Sequence, residues 1–244
     1  MTVDYSIIIP AYNEEELLPR TLQSVTHAMS MQEKIGEVIV VDNNSSDRTA
    51  SIALQSGARV VSESVNQISR ARNAGGRVAA GRYLVFLDAD TVLSPELLDK
   101  ALGLLASGSC CGGGVQVFGD AELSPLAERL MTFWNGLSLR FSLAAGCFVF
   151  CLREGFDAVG GFSEKVYASE EIWFSRRLGD WGRKQNLAFE IITEPGIVTS
   201  MRKMQWYTTA HTLGYVCLLT LFPATVFFRS LCQPWYARPF KSEE

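Results

Sequence analysis

The sequence predicts an α/β fold in which a mostly parallel sheet is covered by helices on both faces. Two observations lead there. Over the first 120 residues, apolar runs of four or five residues, rich in Val and Ile, alternate with longer helical stretches; buried parallel strands joined by crossover helices give this rhythm. Polar and acidic residues then recur directly after those runs, at the edge where open α/β sheets bind ligands. The composition is compatible, since 48% hydrophobic and 20% charged residues in a chain of 244 supply the core of one large domain and exclude general disorder.

The elements follow in order. Tyr5–Ile9, Val38–Val41, Ala58–Ser62 and Tyr83–Leu87 are short, β-branched or aromatic runs, read as four central strands. Between them, helices are expected over Glu15–Ala28, Asp47–Gln55, Ser69–Ala80 and Ser94–Leu105. Asp47 and Ser69 are candidate N-caps, and Ser94-Pro95-Glu96 puts proline at the first helical position. Beyond residue 107 the rhythm loosens. The glycine-rich stretch Ser107–Gly114 leads into a strand at Val115–Phe118, then a helix over Ser124–Arg140 and an apolar run over Leu143–Leu152. A helix from Glu170 to about Trp181 and a strand near Leu187–Thr193 follow, with Glu194-Pro195-Gly196 read as a turn.

Charge and cysteine usage exclude several classes. Twenty-two Lys and Arg against 26 Asp and Glu give a net charge of −4, unlike the basic footprint of a nucleic-acid binder. Two histidines cannot build a histidine-rich metal centre, so oxygen ligands are expected for any metal. The six cysteines form no CxxC pair and are read as reduced thiols. Adjacent Cys110 and Cys111 should point to opposite faces of a strand. The start, Met-Thr-Val-Asp-Tyr, lacks a signal-peptide pattern, so the active portion is expected in the cytoplasm.

The chemistry collects after the strands. The first is followed by Pro10-Ala11-Tyr12-Asn13-Glu14, the second by Asp42-Asn43-Asn44-Ser45-Ser46-Asp47, and the fourth by Asp88-Ala89-Asp90. Two carboxylates one residue apart can offer oxygens to a hard cation such as Mg²⁺ or Mn²⁺, or simply open a turn. Asp42 can accept from a uracil imide or a ribose hydroxyl, and equally cap its own loop. Arg72, on the first turn of the third helix, can present a forked donor to phosphate or base. Neither a Walker motif nor G-x-G-x-x-G follows the first strand, so phosphate binding would rest on metal and arginine.

Taken in order, these pieces resemble the family-2 inverting glycosyltransferases of the GT-A fold. The resemblance runs through Ser6-Ile7-Ile8-Ile9-Pro10-Ala11-Tyr12-Asn13-Glu14, Val40-Val41-Asp42-Asn43-Asn44-Ser45-Ser46-Asp47, Ala71-Arg72-Asn73-Ala74-Gly75, Leu87-Asp88-Ala89-Asp90, and Gly160-Gly161-Phe162 before Glu170-Glu171. It implies a GT-A domain over residues 1–204, with a nucleotide-binding half to about 120 and an acceptor half after it. It implies a nucleotide-diphospho-sugar donor, UDP- or GDP-linked, with Pro10, Ala11, Tyr12, Asn13, Glu14, Asp42, Asn44 and Arg72 around the nucleotide. The metal, Mn²⁺ or Mg²⁺, would be held mainly by Asp90, with Asp88. The family's Glu-Asp pair is Glu170-Glu171 here; Glu171 is the expected base, and Glu170 an alternative base or an acceptor ligand. Arg202, after the last strand, is carried over as a diphosphate contact. A sugar nucleotidyltransferase and a catalytically silent nucleotide-sugar binder are the competing readings, the first weakened by the missing glycine-rich loop.

The mean hydropathy of +0.11 is slightly high, and the excess lies in a C-terminal apolar appendage over residues 205–244. Leu213–Phe228 is uncharged over sixteen residues and interrupted by Pro223, with Arg229, Trp235, Tyr236, Arg238 and Lys241 behind it. A spanning helix needs about 20 apolar residues. Interfacial or re-entrant membrane association, at the cytoplasmic face and suited to a lipid-linked acceptor, is favoured over packing on the domain or in a homodimer. A growing polysaccharide is the other expected acceptor.

Overall fold

The computed structural model describes residues 2–120, 125–202, 214 and 222–236. Strand β1 (Tyr5–Ala11) lies between β2 (Gly36–Asp42) and β4 (Tyr83–Leu87), parallel to both, while β3 (Arg59–Ser62) lies parallel outside β2. Helices α1 (Leu18–Ser30), α2 (Thr49–Gln55) and α3 (Ile68–Val78) make the crossovers. Beyond β4 come the short β5 (Thr91–Val92), α4 (Pro95–Ala106), β6 (Cys110–Gly119) and α5 (Pro125–Phe141). Then β7 (Phe148–Leu152), α6 (Arg153–Val159), α7 (Glu170–Lys184) and β8 (Ala188–Thr199) complete the domain. The sheet order among the described residues is β3-β2-β1-β4-β7-β6-β8-β5, with β7 antiparallel to β4 and β6, and β5 antiparallel to β8. The expected α/β architecture is present, mostly parallel in its first half.

Alternation along the strands divides the core. Ile7, Ile9, Val40, Val85, Leu87, Cys110, Phe148 and Phe150 face one side, against α1, α2 and α4. Ile8, Ile39, Val41, Leu84, Phe86, Cys111, Val149 and Cys151 face the other, against α3, α6 and α7. The period of two sends neighbours to opposite faces, and both faces are covered, so the strands read as unbroken apolar runs. Gly75 shows how close α3 lies: a Cβ there would stand 2.3 Å from Ile8 Cγ2 and 3.0 Å from Val41 Cγ2.

Several local expectations are corrected. Ser94 caps α4, its hydroxyl accepting from the Leu97 amide at 3.2 Å, but the residue before α2 is Arg48 and the one before α3 is Gln67. Asp47 instead accepts from the Thr49 amide at 2.9 Å, one residue out of cap position. Ser69 lies inside α3 and is buried. The glycine-rich 107–114 segment is mostly β6, because β6 pairs so tightly with β7 and β8 that a Cβ on Gly113 would meet Glu190 O at 1.9 Å. Glu194-Pro195-Gly196 lies within β8, across from an irregularity in the β6 register, and is no turn. Cys110, Cys111, Cys147, Cys151 and Cys232 are buried free thiols, as expected.

The tail expectations fall largely on residues 203–213, 215–221 and 237–244, outside the described residues. Within 222–236, two 3₁₀ turns (Pro223–Phe227 and Arg229–Leu231) and a helical turn (Gln233–Tyr236) are present. Among the described residues no helix is long and apolar enough to cross a membrane.

Candidate functional site

The sheet reverses its direction of winding between β1 and β4, and a crevice opens beyond the carboxyl ends of the strands at such a point. Pro10 and Ala11 end β1, paired in register with Val41 and Asp42 at the end of β2. Tyr12, Asn13 and Glu14 form the loop beyond them. Asn13 and Asn44 both have left-handed backbone (φ 51° and 68°), which asparagine tolerates better than most side chains. The two loops are stitched together: Asn13 donates its amide to Ser45 Oγ at 3.0 Å, and its side-chain oxygen accepts from the Ser46 amide at 2.8 Å. The Glu14 amide donates to Thr49 Oγ1 at 2.7 Å, and Asp42 accepts from the Ser45 amide at 3.1 Å.

The acidic triplet follows β4. The Asp88 amide donates to Cys147 O at 3.1 Å, and buried Ala89 accepts from Thr21 Oγ1 at 2.8 Å. Asp90 is fixed through the β5–β8 pairing: its carbonyl accepts from the Ser200 amide at 3.1 Å. Arg202, one turn beyond β8, pairs with the Glu14 carboxylate and lies 3.7 Å from Asp90. Residues 188 positions apart thus share one ion pair.

Arg72 joins the two halves of the cleft. Its side chain is 2% exposed, with Nη1 donating to Glu170 at 2.6 Å and Nη2 to Asp88 at 3.0 Å and to the Gly146 carbonyl at 2.8 Å. Burial pushes its pKa down, but the charges of Asp88, Glu170 and Glu171 outweigh that and leave it above its ordinary value. One guanidinium among three carboxylates leaves negative charge in excess. Glu171 carries the consequence: burial, then the Glu170 charge, push its carboxyl up from 4.5 to about 8, against the pull of Arg72.

The chain builds this cluster through Asn73, next to Arg72. Its amide nitrogen donates to Phe162 O at 2.9 Å, and its oxygen accepts from the Phe162 amide at 2.8 Å. Gly161 (φ 68°) permits that clasp, since a Cβ there would stand 2.4 Å from Asn73 Oδ1. Phe162 stacks on Phe174 of α7 at 4.3 Å and meets Phe86 of β4 edge-on at 4.9 Å. Gln67 donates to Glu164 O and Val166 O at 2.9 and 3.0 Å. The loop leading to α7 is therefore held by α3, and Glu170 and Glu171 start α7 after Ser169, itself at φ 61°.

Sequence reasoning quotes Asn73 within the Ala71-Arg72-Asn73-Ala74-Gly75 motif without a role for it, and it passes over Gly146 and Thr199. Gly146 sits where a Cβ would be 3.0 Å from Arg72 Nη2 and 3.7 Å from Glu171 Cδ; a lone glycine within the apolar 143–152 run was its only signal. Thr199 Oγ1 lies 2.9 Å from Thr91 Oγ1 and 3.5 Å from Asp90. Trp181 packs in the core beside α6, whereas Trp173 is exposed and meets Phe227 edge-on at 6.2 Å.

Among the described residues, no three His, Cys, Asp or Glu side chains gather in a metal-holding group. Asp88 and Asp90 supply carboxylate oxygens alone, a donor set that suits a hard cation sharing its shell with a phosphorylated ligand.

Residues 6–159 match the model of the glycosyl transferase family 2. The chain belongs to that family. It is 30% identical over 199 residues to glycosyltransferase AglE of Haloferax volcanii, covering 77% of this chain and 65% of that one. A mannosyltransferase from Pyrobaculum calidifontis, PcManGT, solved with GDP-Man and Mn²⁺, shares the fold with a TM-score of 0.66 at 21% identity, over 96% of this chain and 65% of that one. S. aureus TarS 1-349, solved with UDP-GlcNAc, does so with a TM-score of 0.63 at 18% identity, over 82% of this chain and 59% of that one. The chain spans less than two thirds of the length of each of these three proteins.

Proposed function

We propose that the chain transfers a sugar from a UDP- or GDP-linked donor to an acceptor hydroxyl in one inverting, metal-dependent displacement. The observation that carries this reading is the junction at Arg72, which brings the acidic triplet after β4 within one ion-pair network of the Glu170-Glu171 pair. In this reading residues 1–204 work as one GT-A unit, with the donor nucleotide against 1–120 and the acceptor against 121–204. The stitched loops at Pro10–Glu14 and Asp42–Asn44 hold base and ribose. Arg202 turns from Glu14 toward the diphosphate.

A Mn²⁺ or Mg²⁺ ion held by Asp90, with Asp88, would neutralise charge on the departing nucleotide diphosphate. Glu171 takes the proton from the acceptor hydroxyl. A carboxyl near 8 suits that role, because the optimum for a general base lies near the working pH. Glu170, buried and paired with Arg72 at 2.6 Å, orients the cluster and leaves the proton transfer to its neighbour. The bound UDP-GlcNAc of TarS and the GDP-Man and Mn²⁺ of PcManGT are the donor and metal classes that this reading brings to the chain. The acceptor is a saccharide or a lipid-linked hydroxyl, the latter presented where the uncharged Leu213–Phe228 segment meets a membrane surface.

A panel of UDP- and GDP-sugars, each with Mn²⁺, Mg²⁺ or chelator, tests this by thermal melting. At least one donor should raise the Tm only with metal present, as ligand linkage requires. A panel giving no metal-dependent shift would remove the donor reading.

A further inference from the structure

The C-terminal segment 222–236 packs against the residues that flank the candidate catalytic pair. Val226 and Cys232 are buried in a separate apolar cluster with Val166 and Ala168, and Tyr167 and Tyr236 pack against it. The Tyr167 amide donates to Val226 O at 2.7 Å. The rings of Tyr167 and Tyr236 meet edge-on at 6.0 Å, and Phe227 meets Trp173, on the first turn of α7, at 6.2 Å. This segment therefore grips residues 166–168 and 173, on either side of the Ser169-Glu170-Glu171 corner.

Ser169 is a non-glycine residue at φ 61°, a conformation that persists only where surrounding structure enforces it. From one side α3 supplies that force, through Asn73 and Gln67. From the other side the supplier is this segment. Tyr236 closes the segment: its ring packs on Tyr167, and its phenol oxygen is buried. Burial, then the charge of Glu170, push its phenol above its ordinary value. Cys232 likewise feels burial first and then Glu170.

We infer that residues 222–236 form a strap across the start of α7 and that Tyr236, packed on Tyr167, is a positioning residue that holds the turn before Ser169 and thereby Glu170 and Glu171 at the cleft. The inference deepens the transferase reading and rests on it for its kinetic consequence. With the donor placed against residues 1–120, loss of the strap acts on turnover and leaves donor affinity alone.

Two measurements on the full chain test this together. In Tyr236→Ala, hydrogen exchange of the amides of residues 168–172 should accelerate while that of β1 stays as in the wild type. With a donor identified by the melting panel, kcat should fall about tenfold or more, the scale of a displaced catalytic group, with donor KM within about twofold of wild type. Tyr236→Phe should restore both, because the ring supplies the packing. Cys232→Ala is the second variant should Tyr236→Ala not fold, with the same exchange pattern expected. Leu102→Ala, in α4 and remote from the corner, controls for lost stability; its kcat well below its Tm should stay at the wild-type value. Unchanged exchange at 168–172, or unchanged kcat in a folded Tyr236→Ala protein, would overturn the strap. If the wild type turns over no donor, faster exchange at 168–172 still supports the strap while the transferase reading fails.

Discussion

Replacing Glu171 by Gln should strengthen the fold while stopping turnover, and the gain should grow with pH. In the folded protein the Glu171 carboxyl is raised from 4.5 to about 8 by burial and by Glu170. Its stabilising contribution is thus fully present below the unfolded value and is lost as pH rises through the folded one. Each pH unit between the two costs about 1.4 kcal/mol, which makes ~3 kcal/mol at pH 7 and a ceiling of ~5 kcal/mol above pH 8. Solvent reaching the half-buried carboxyl reduces this, so about 2 kcal/mol is expected at pH 7. In a chain of this size that is a Tm increase of ~4–8 °C. Glutamine keeps the shape without the ionisation. Thermal melts of both proteins from pH 5 to 9 provide the assay: the difference should be small at pH 5, increase steadily, and level off near pH 8. A difference that stays flat with pH, or a variant less stable than wild type at pH 8, would refute the reasoning.

The remaining expectations concern the same corner. Since Glu171 works deprotonated, log kcat/KM for nucleotide release should rise with unit slope up to about pH 8 and then flatten; a profile flat from pH 5.5 would show an ordinary carboxylate. Asn73→Ala removes both halves of the clasp on Phe162 and strands two buried backbone groups. It should cost about 3 kcal/mol, read as a Tm loss of ~6–12 °C. Gly146→Ala puts a methyl 3.0 Å from Arg72 Nη2; kcat should drop about tenfold while overpacking costs only ~1–2 kcal/mol, read by kinetics beside a melt.

Legibility in the sequence followed the reach of each interaction. The strands β1, β2 and β4 were visible because both sheet faces are covered, so every residue of Tyr83–Leu87 is buried and the run is uniformly apolar. The loops after them were visible because their polar residues contrast with those runs. Strand β8 was cut short at Glu194-Pro195-Gly196, since a local turn signal says nothing about the pairing with β6 that carries the strand through to Thr199. The antiparallel β7 and the two-residue β5 exist through partners distant in sequence, and β5 depends on Thr199, 108 positions from Thr91. At the site, candidate residues were readable but their partners were not. Arg72 was expected to offer its fork to phosphate; the structure buries it between Glu170 and Asp88, a destination set by the 160–168 loop folding back on α3. Gly160-Gly161-Phe162 was noticed as a motif, and the reason for it appears only when Asn73 is seen to grasp the Phe162 backbone.

Nucleotide diphosphate release from a donor identified by the melting panel, with Mn²⁺, tests the proposed mechanism most directly when wild type, Asp90→Ala and Glu171→Gln are run side by side. Both variants should fold, Glu171→Gln with a raised Tm, and both should lose about 10²–10⁴-fold in rate, the range for removal of a general base or its equivalent. Release that continues at the wild-type rate in either folded variant would contradict the assignment of the metal to Asp90 or of the proton to Glu171.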